Sequence, residues 1–115
     1  MEKKDILAAL AALAQETRLD IFRLLVRAGP PGLPAGAIAE RLALAAPTLS
    51  FHLKELKQAA LVAAQREGRS LIYAADFATM NGLIAYLGEA CCSDGPVGCG
   101  DGICADTASV KTEGG

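Results

Sequence analysis

The chain of 115 residues has a single histidine, no cysteine before residue 91, and no apolar run near the roughly 18 residues that a membrane helix needs. Each shortage removes a class of function. No membrane span is expected. With one imidazole, no Ser/His/Asp arrangement and no glycine-rich phosphate loop after a strand, an enzyme is not expected either. A cysteine nucleophile would find no base beside it in the tail. Met1-Glu2-Lys3-Lys4-Asp5 runs straight into an amphipathic pattern, without an apolar stretch before a small-residue cleavage site. The expected compartment is therefore the cytoplasm, where thiols stay reduced. There are no internal repeats, and the length suits one domain with a modest core.

An excess of basic charge is also missing: the formal net charge is −2. That figure averages over unlike parts. Residues 41–73 carry Arg41, Lys54, Lys57, Arg66 and Arg69 against Glu55 and Glu67, whereas residues 76–115 are acidic apart from Lys111. Positive charge thus gathers on one stretch, where phosphates could be met. Charge alone does not separate that reading from ordinary solvated surface residues.

What is present in that stretch is a pair of short amphipathic helices. Ala35, Ile38, Ala39 and Leu42 follow i, i+3, i+4, i+7, and Leu49, Leu53, Leu56 and Ala60 form a second stripe. Pro47 suits the start of the second helix. Leu44-Ala45-Ala46 connects the two, so the pair reads as a helix-turn-helix whose second helix reads DNA. Thr48, Phe51, His52 and Glu55 are expected to point away from the apolar stripe. Leu61–Arg66 reads as a strand, Glu67-Gly68-Arg69 as a turn and Ser70–Ala74 as the return strand. A hairpin directly after a helix-turn-helix makes a winged helix.

The remaining elements frame this unit. Ile6, Leu7, Leu10 and Leu13 predict a first helix. A second runs from near Thr17 to Ala28 with Leu19, Phe22, Leu25 and Val26 inward, and stops at Gly29-Pro30-Pro31-Gly32. Leu33-Pro34 opens the third. A last helix runs from Asp76, its N-cap, to about Ala90, with Phe77, Met80, Ile84 and Leu87 near a heptad seam. The expected order is α-α-α-α-β-β-α, mainly helical with a small hairpin. The terminal helices are apolar enough to pair across a two-fold axis in a homodimer, or to pack on their own domain. Residues 1–90 form the expected DNA-binding and dimerisation domain. Residues 91–115, rich in glycine and cysteine, form an expected flexible tail.

Glu16-Thr17-Arg18-Leu19, the Thr48–Leu56 stretch, Leu61-Val62 and Gly68-Arg69-Ser70-Leu71-Ile72-Tyr73 together resemble the ArsR/SmtB family of metal- and metalloid-responsive winged-helix repressors. The resemblance covers about residues 3–90. It implies a homodimer joined by its first and last helices, bound to double-stranded operator DNA and released by an inducer. Thr48, Ser50 and His52 would face the major groove, with Lys54, Lys57, Arg66 and Arg69 on phosphates. His52 could instead be a surface residue closing the reading helix against the turn; the family pattern favours contact with DNA. Tyr73 fits wing packing better than DNA contact.

Two inducer sites of the family are absent. Pro34, Ala35 and Gly36 stand where one arsenic-sensing type carries Cys-Val-Cys. Asp76 fits a zinc-sensing type, but Ala78 and Glu89 stand where it has histidines. What remains is Cys91, Cys92, Cys99 and Cys104, which resembles a subgroup of arsenite-responsive repressors with adjacent cysteines after the last helix. Soft As(III), or Sb(III), takes three thiolates, and Cys91, Cys92 and Cys99 would supply them. Cys104 is a fourth ligand or a spare; four sulfurs would suit cadmium, lead or zinc better. A thiol redox switch, a metal-binding protein without operator affinity, and incidental cysteines remain alternatives.

Overall fold

A computed structural model describes residues 1–89 of the chain. Its elements are α1 (Lys3–Leu13), α2 (Glu16–Ala28), β1 (Leu33–Pro34), α3 (Ala35–Leu42), α4 (Ala46–Gln58), β2 (Val62–Glu67), β3 (Ser70–Ala75) and α5 (Phe77–Gly88). This is the winged helix-turn-helix expected from the sequence, with one added strand. Met1–Leu83 forms one compact unit, and the described end of α5 from Ile84 belongs to a second. The tail beyond residue 90 lies outside the described residues.

The core follows from the apolar stripes. Ile21 and Leu25 of α2, Ile38 of α3, Leu56 of α4 and Leu61 just before β2 are almost fully buried. Each contributes about 1.5–3 kcal/mol relative to an exposed side chain. Leu49, Leu53 and Leu56 all face inward as their spacing predicts. Ala60 does not: α4 ends at Gln58, and Ala60 takes a positive φ of 63° in the exposed bend that follows. Asp76 caps α5 as expected, its Oδ1 accepting from the Thr79 N–H at 3.0 Å.

Three helices turn differently from expectation. In α1 the buried face is Ile6, Ala9 and Ala12, while Leu7 and Leu10 are 57% and 38% exposed. An alanine- and leucine-rich helix offers two apolar stripes, and the small one lets neighbouring backbones come close. In α2, Ile21 takes the inward place expected for Leu19, which is exposed. In α5, Leu83 is buried and Phe77 and Met80 are half-buried, whereas Ile84 and Leu87 are about 60% exposed.

The sheet has three strands in the order β1-β3-β2, all antiparallel. Sequence periodicity missed β1 because two residues have no period. Its pairing, Leu33 with Tyr73 and Pro34 with Ile72, exists only through tertiary contact. Pro34 is tolerated there because β1 is an edge strand. Gly32 makes this approach feasible. Its φ is +71°, and a Cβ at that position would collide with the Tyr73 carbonyl. Gly32→Ala combines left-handed strain of about 1–2 kcal/mol with that clash against backbone. Its thermal midpoint should fall by at least about 4–8 °C at matched protein concentration.

Candidate nucleic-acid interface

The turn between α3 and α4 contains no glycine, and Ala43 takes the glycine-like conformation instead, with φ 54°. The Leu44 N–H then reaches back to the Ala39 carbonyl at 3.0 Å, which closes the end of α3 and sends the chain into α4. Pro47 sits in the first turn of α4, where its missing N–H leaves no helical bond unmade.

At 3.6 residues per turn, α4 divides cleanly. Leu49, His52, Leu53 and Leu56 are buried. Pro47, Phe51, Lys54 and Gln58 lie on the opposite side and are all exposed, with Ser50 and Lys57 on one flank and Thr48 on the other. Ser50, Lys54 and Lys57 therefore share one exposed side of α4, and Thr48 is exposed on the opposite flank. Ser50, Lys54, Lys57 and Gln58, with Tyr73 of β3, line an open hollow of about 300 Å³. Two ammonium groups, a hydroxyl and an amide around one hollow form a donor set suited to a phosphate oxygen. Gln58 stands on α4 itself, about one turn beyond Lys54, whereas Tyr73 reaches the site from β3, far along the chain. Nothing in the spacing of Tyr73 distinguishes that role from simple wing packing.

His52 corrects the expectation that it points outward with Thr48 and Ser50. It is only 8% exposed, the one buried polar side chain among the described residues. Its Nδ1 lies 3.2 Å from the Arg18 guanidinium. Arginine only donates, so Nδ1 accepts and the ring proton sits on Nε2. Arg18 also donates from Nε to the Ala12 carbonyl at the end of α1, at 2.7 Å, and its own N–H is capped by Gln15 Oε1. One side chain thus ties α1, α2 and α4 together. Burial, then the neighbouring Arg18 charge, pushes the His52 pKa below its ordinary 6.5, with Glu55 opposing. The imidazole is accordingly neutral near pH 7, and its role is to hold the reading helix in place. The positional cause is that position 52 falls on the flank of the buried stripe, next to Leu49 and Leu53. Sequence reasoning missed Arg18 because its partner is far away along the chain.

β2 and β3 pair from Val62↔Ala75 to Glu67↔Ser70, leaving Gly68 and Arg69 as the two-residue turn. Gly68 alone has positive φ, at 65°, the pattern of a II′ hairpin turn. Arg66 and Arg69 are exposed at this tip. Arg69→Ala should weaken binding to all DNA sequences alike and flatten the logarithmic salt dependence by about one unit. Anisotropy titrations over a salt series would read this out, and an unchanged slope would remove the wing tip from the interface.

Residues 13–64, spanning the end of α1 to β2, match a family model described as a helix-turn-helix domain. The chain is 31% identical over 85 residues to the HTH-type transcriptional regulator YgaV of Escherichia coli, covering 74% of this chain and 84% of that protein. An ArsR-like transcriptional regulator from Rhodococcus sp. RHA1 has a similar structure, with a TM-score of 0.67 and 29% identity, over 75% of this chain and 78% of that one. The chain belongs to the ArsR family of winged-helix transcriptional regulators. A third relative is the homodimeric winged helix-turn-helix domain of Mb0332 from Mycobacterium bovis, described as a possible ArsR-family regulator. It matches with a TM-score of 0.60 and 29% identity, over 76% of this chain and 81% of that one.

For an ArsR-family regulator, α4 is the reading helix and the β2–β3 hairpin is the wing. Among the described residues no group of three or more His, Cys, Asp or Glu could hold a metal ion. No described helix is long and apolar enough to cross a membrane. Cys91, Cys92, Cys99 and Cys104, the expected inducer ligands, lie outside the described residues.

Proposed function

We propose that this ArsR-family regulator is an arsenite-responsive repressor. It binds operator DNA as a homodimer and leaves it when As(III) is captured by Cys91, Cys92 and Cys99. The observation that carries this reading is the cysteine set: all four cysteines of the chain fall between 91 and 104, just past α5. Trivalent arsenic is soft and takes three thiolates, and a soft donor set selects soft ions. The described part of the chain offers no competing cluster of metal ligands. Exposed Leu7 and Leu10 on α1, exposed Ile84 and Leu87 on α5, and the homodimeric Mb0332 relative support the dimer. Two reading helices would then meet half-sites about 34–36 Å apart, one turn of DNA.

The test begins with an operator selected from a randomised duplex pool by the full chain. Fluorescence anisotropy of that duplex is then titrated with arsenite, antimonite, cadmium and zinc in turn. Release by arsenite or antimonite and not by zinc is the expected result. Release by cadmium alone would make the chain a sensor of another soft metal, and release by a thiol oxidant alone a redox switch. Arsenite binding without any selected operator would point to a thiol metal-binding protein.

A further inference from the structure

We infer that Phe51 is a specificity-determining residue that reads the C5-methyl group of a thymine in each operator half-site. The inference rests on the operator-binding reading above and adds to it a base and a group on that base.

Phe51 is 55% exposed on the outward side of α4, in the N-terminal half of that helix. That half is the part of a reading helix that reaches base edges. On the same side stand Pro47, one turn before it, and Lys54, nearly one turn after it. Ser50, Lys54 and Lys57 flank it with hydroxyl and ammonium donors suited to phosphates and to base acceptors. The phenyl ring has neither donor nor acceptor. In the major groove each base edge presents hydrogen-bonding groups, and the thymine methyl is the apolar group available. A phenyl ring carried into that groove therefore gains by covering a thymine methyl, and loses wherever it covers a polar edge.

The ring is also held in advance of binding. It meets the His52 imidazole edge to face, with centroids 5.4 Å apart and planes at 63°. His52 is fixed in turn by Arg18, which is anchored to the end of α1. The chain of contacts Arg18, His52, Phe51 thus presents an apolar surface from a supported position, which lowers the ordering cost of binding.

The test uses the full chain and the operator it selects from a randomised pool. Each thymine is replaced singly by deoxyuridine, which removes the methyl group and leaves every hydrogen-bonding group unchanged. One thymine per half-site should show weaker binding by about fourfold, the worth of one buried methyl-sized group. Replacing both symmetry-related thymines should cost about 15-fold. In Phe51→Ala the two duplexes should bind equally, with the salt dependence unchanged because no phosphate contact is lost. Phe51→Leu, which keeps an apolar side chain, should retain a preference for thymine. Because Phe51 is exposed, neither variant should lower the thermal midpoint appreciably.

A selected operator that tolerates deoxyuridine at every position would overturn the assignment while leaving the repressor reading intact. So would a methyl preference that survives in Phe51→Ala. A Phe51→Ala variant that loses its dimer in sedimentation yet keeps the methyl preference would place the ring in a protein contact instead. A chain that selects no sequence would overturn operator reading itself, and this inference with it.

Discussion

Adding arsenite to the operator complex of a Cys91→Ser/Cys92→Ser/Cys99→Ser variant should leave the complex intact, while the same addition releases the unaltered chain. Operator binding without arsenite should be the same for both, because the helix-turn-helix and the wing are complete within residues 33–75. Each single substitution should abolish release as well, since a trigonal thiolate site fails when it loses one sulfur. Cys104→Ser should change little. The effect need not be large in energy: a coupling of about 1–3 kcal/mol corresponds to roughly 5–150-fold in operator affinity. Reciprocity then requires operator DNA to weaken arsenite binding by the same factor, which competition titration can measure. If the triple variant still leaves its operator on adding arsenite, the inducer site is elsewhere in the chain.

The second large effect is expected at Arg18. Arg18→Ala removes the donor to the Ala12 carbonyl and the donor to His52 Nδ1, and leaves a buried imidazole facing an empty place. Hydrogen bonds from a charged donor contribute about 1.5–3 kcal/mol, and Arg18 is partly exposed, so about 2–3 kcal/mol for the pair is a reasonable expectation. At about 4–8 °C per kcal/mol, the thermal midpoint should fall by roughly 10–20 °C at matched protein concentration. Arg18→Lys should rescue little, since a single ammonium cannot reproduce two donors in a fixed fork. Below the melting range, where the variant is folded, the consequence should appear in DNA reading: a displaced α4 loses affinity for the operator more than affinity for random DNA. A variant that loses both equally would show Arg18 to be merely structural.

The same contact sets a pH dependence. The His52 pKa is lowered in the folded chain, mainly by burial and then by Arg18. Below an unfolded value near 6.5 the unfolded chain takes up the proton more readily than the folded chain does. The contribution of His52 to stability is therefore fully present above about pH 6.5 and is lost as pH falls from there toward the lowered folded value. Protonation also removes the acceptor that Arg18 uses and sets two cations against each other. His52→Gln should flatten this part of the stability profile.

Much of the fold was legible in residue order. The leucine spacing of α4, the Gly29–Gly32 break, the Asp76 cap and the Gly68 turn are local features, and local physics decides them. Helical period placed Thr48 and Phe51 outward, where the structure has them, and the strand-turn-strand pattern placed the two wing arginines near the hairpin tip. A cluster of thiols confined to one end of the chain is likewise a property of the sequence. Other features needed the folded chain, because they depend on contacts between residues distant in sequence. Periodicity shows that α1 has two apolar stripes, but only packing against its neighbours selects Ile6, Ala9 and Ala12 over Leu7 and Leu10. The strand at Leu33-Pro34 exists because β3 lies beside it. His52 stands next to an exposed phenylalanine in the sequence, yet α2 covers it, and Arg18 turns it from a presumed DNA contact into the support of the reading helix.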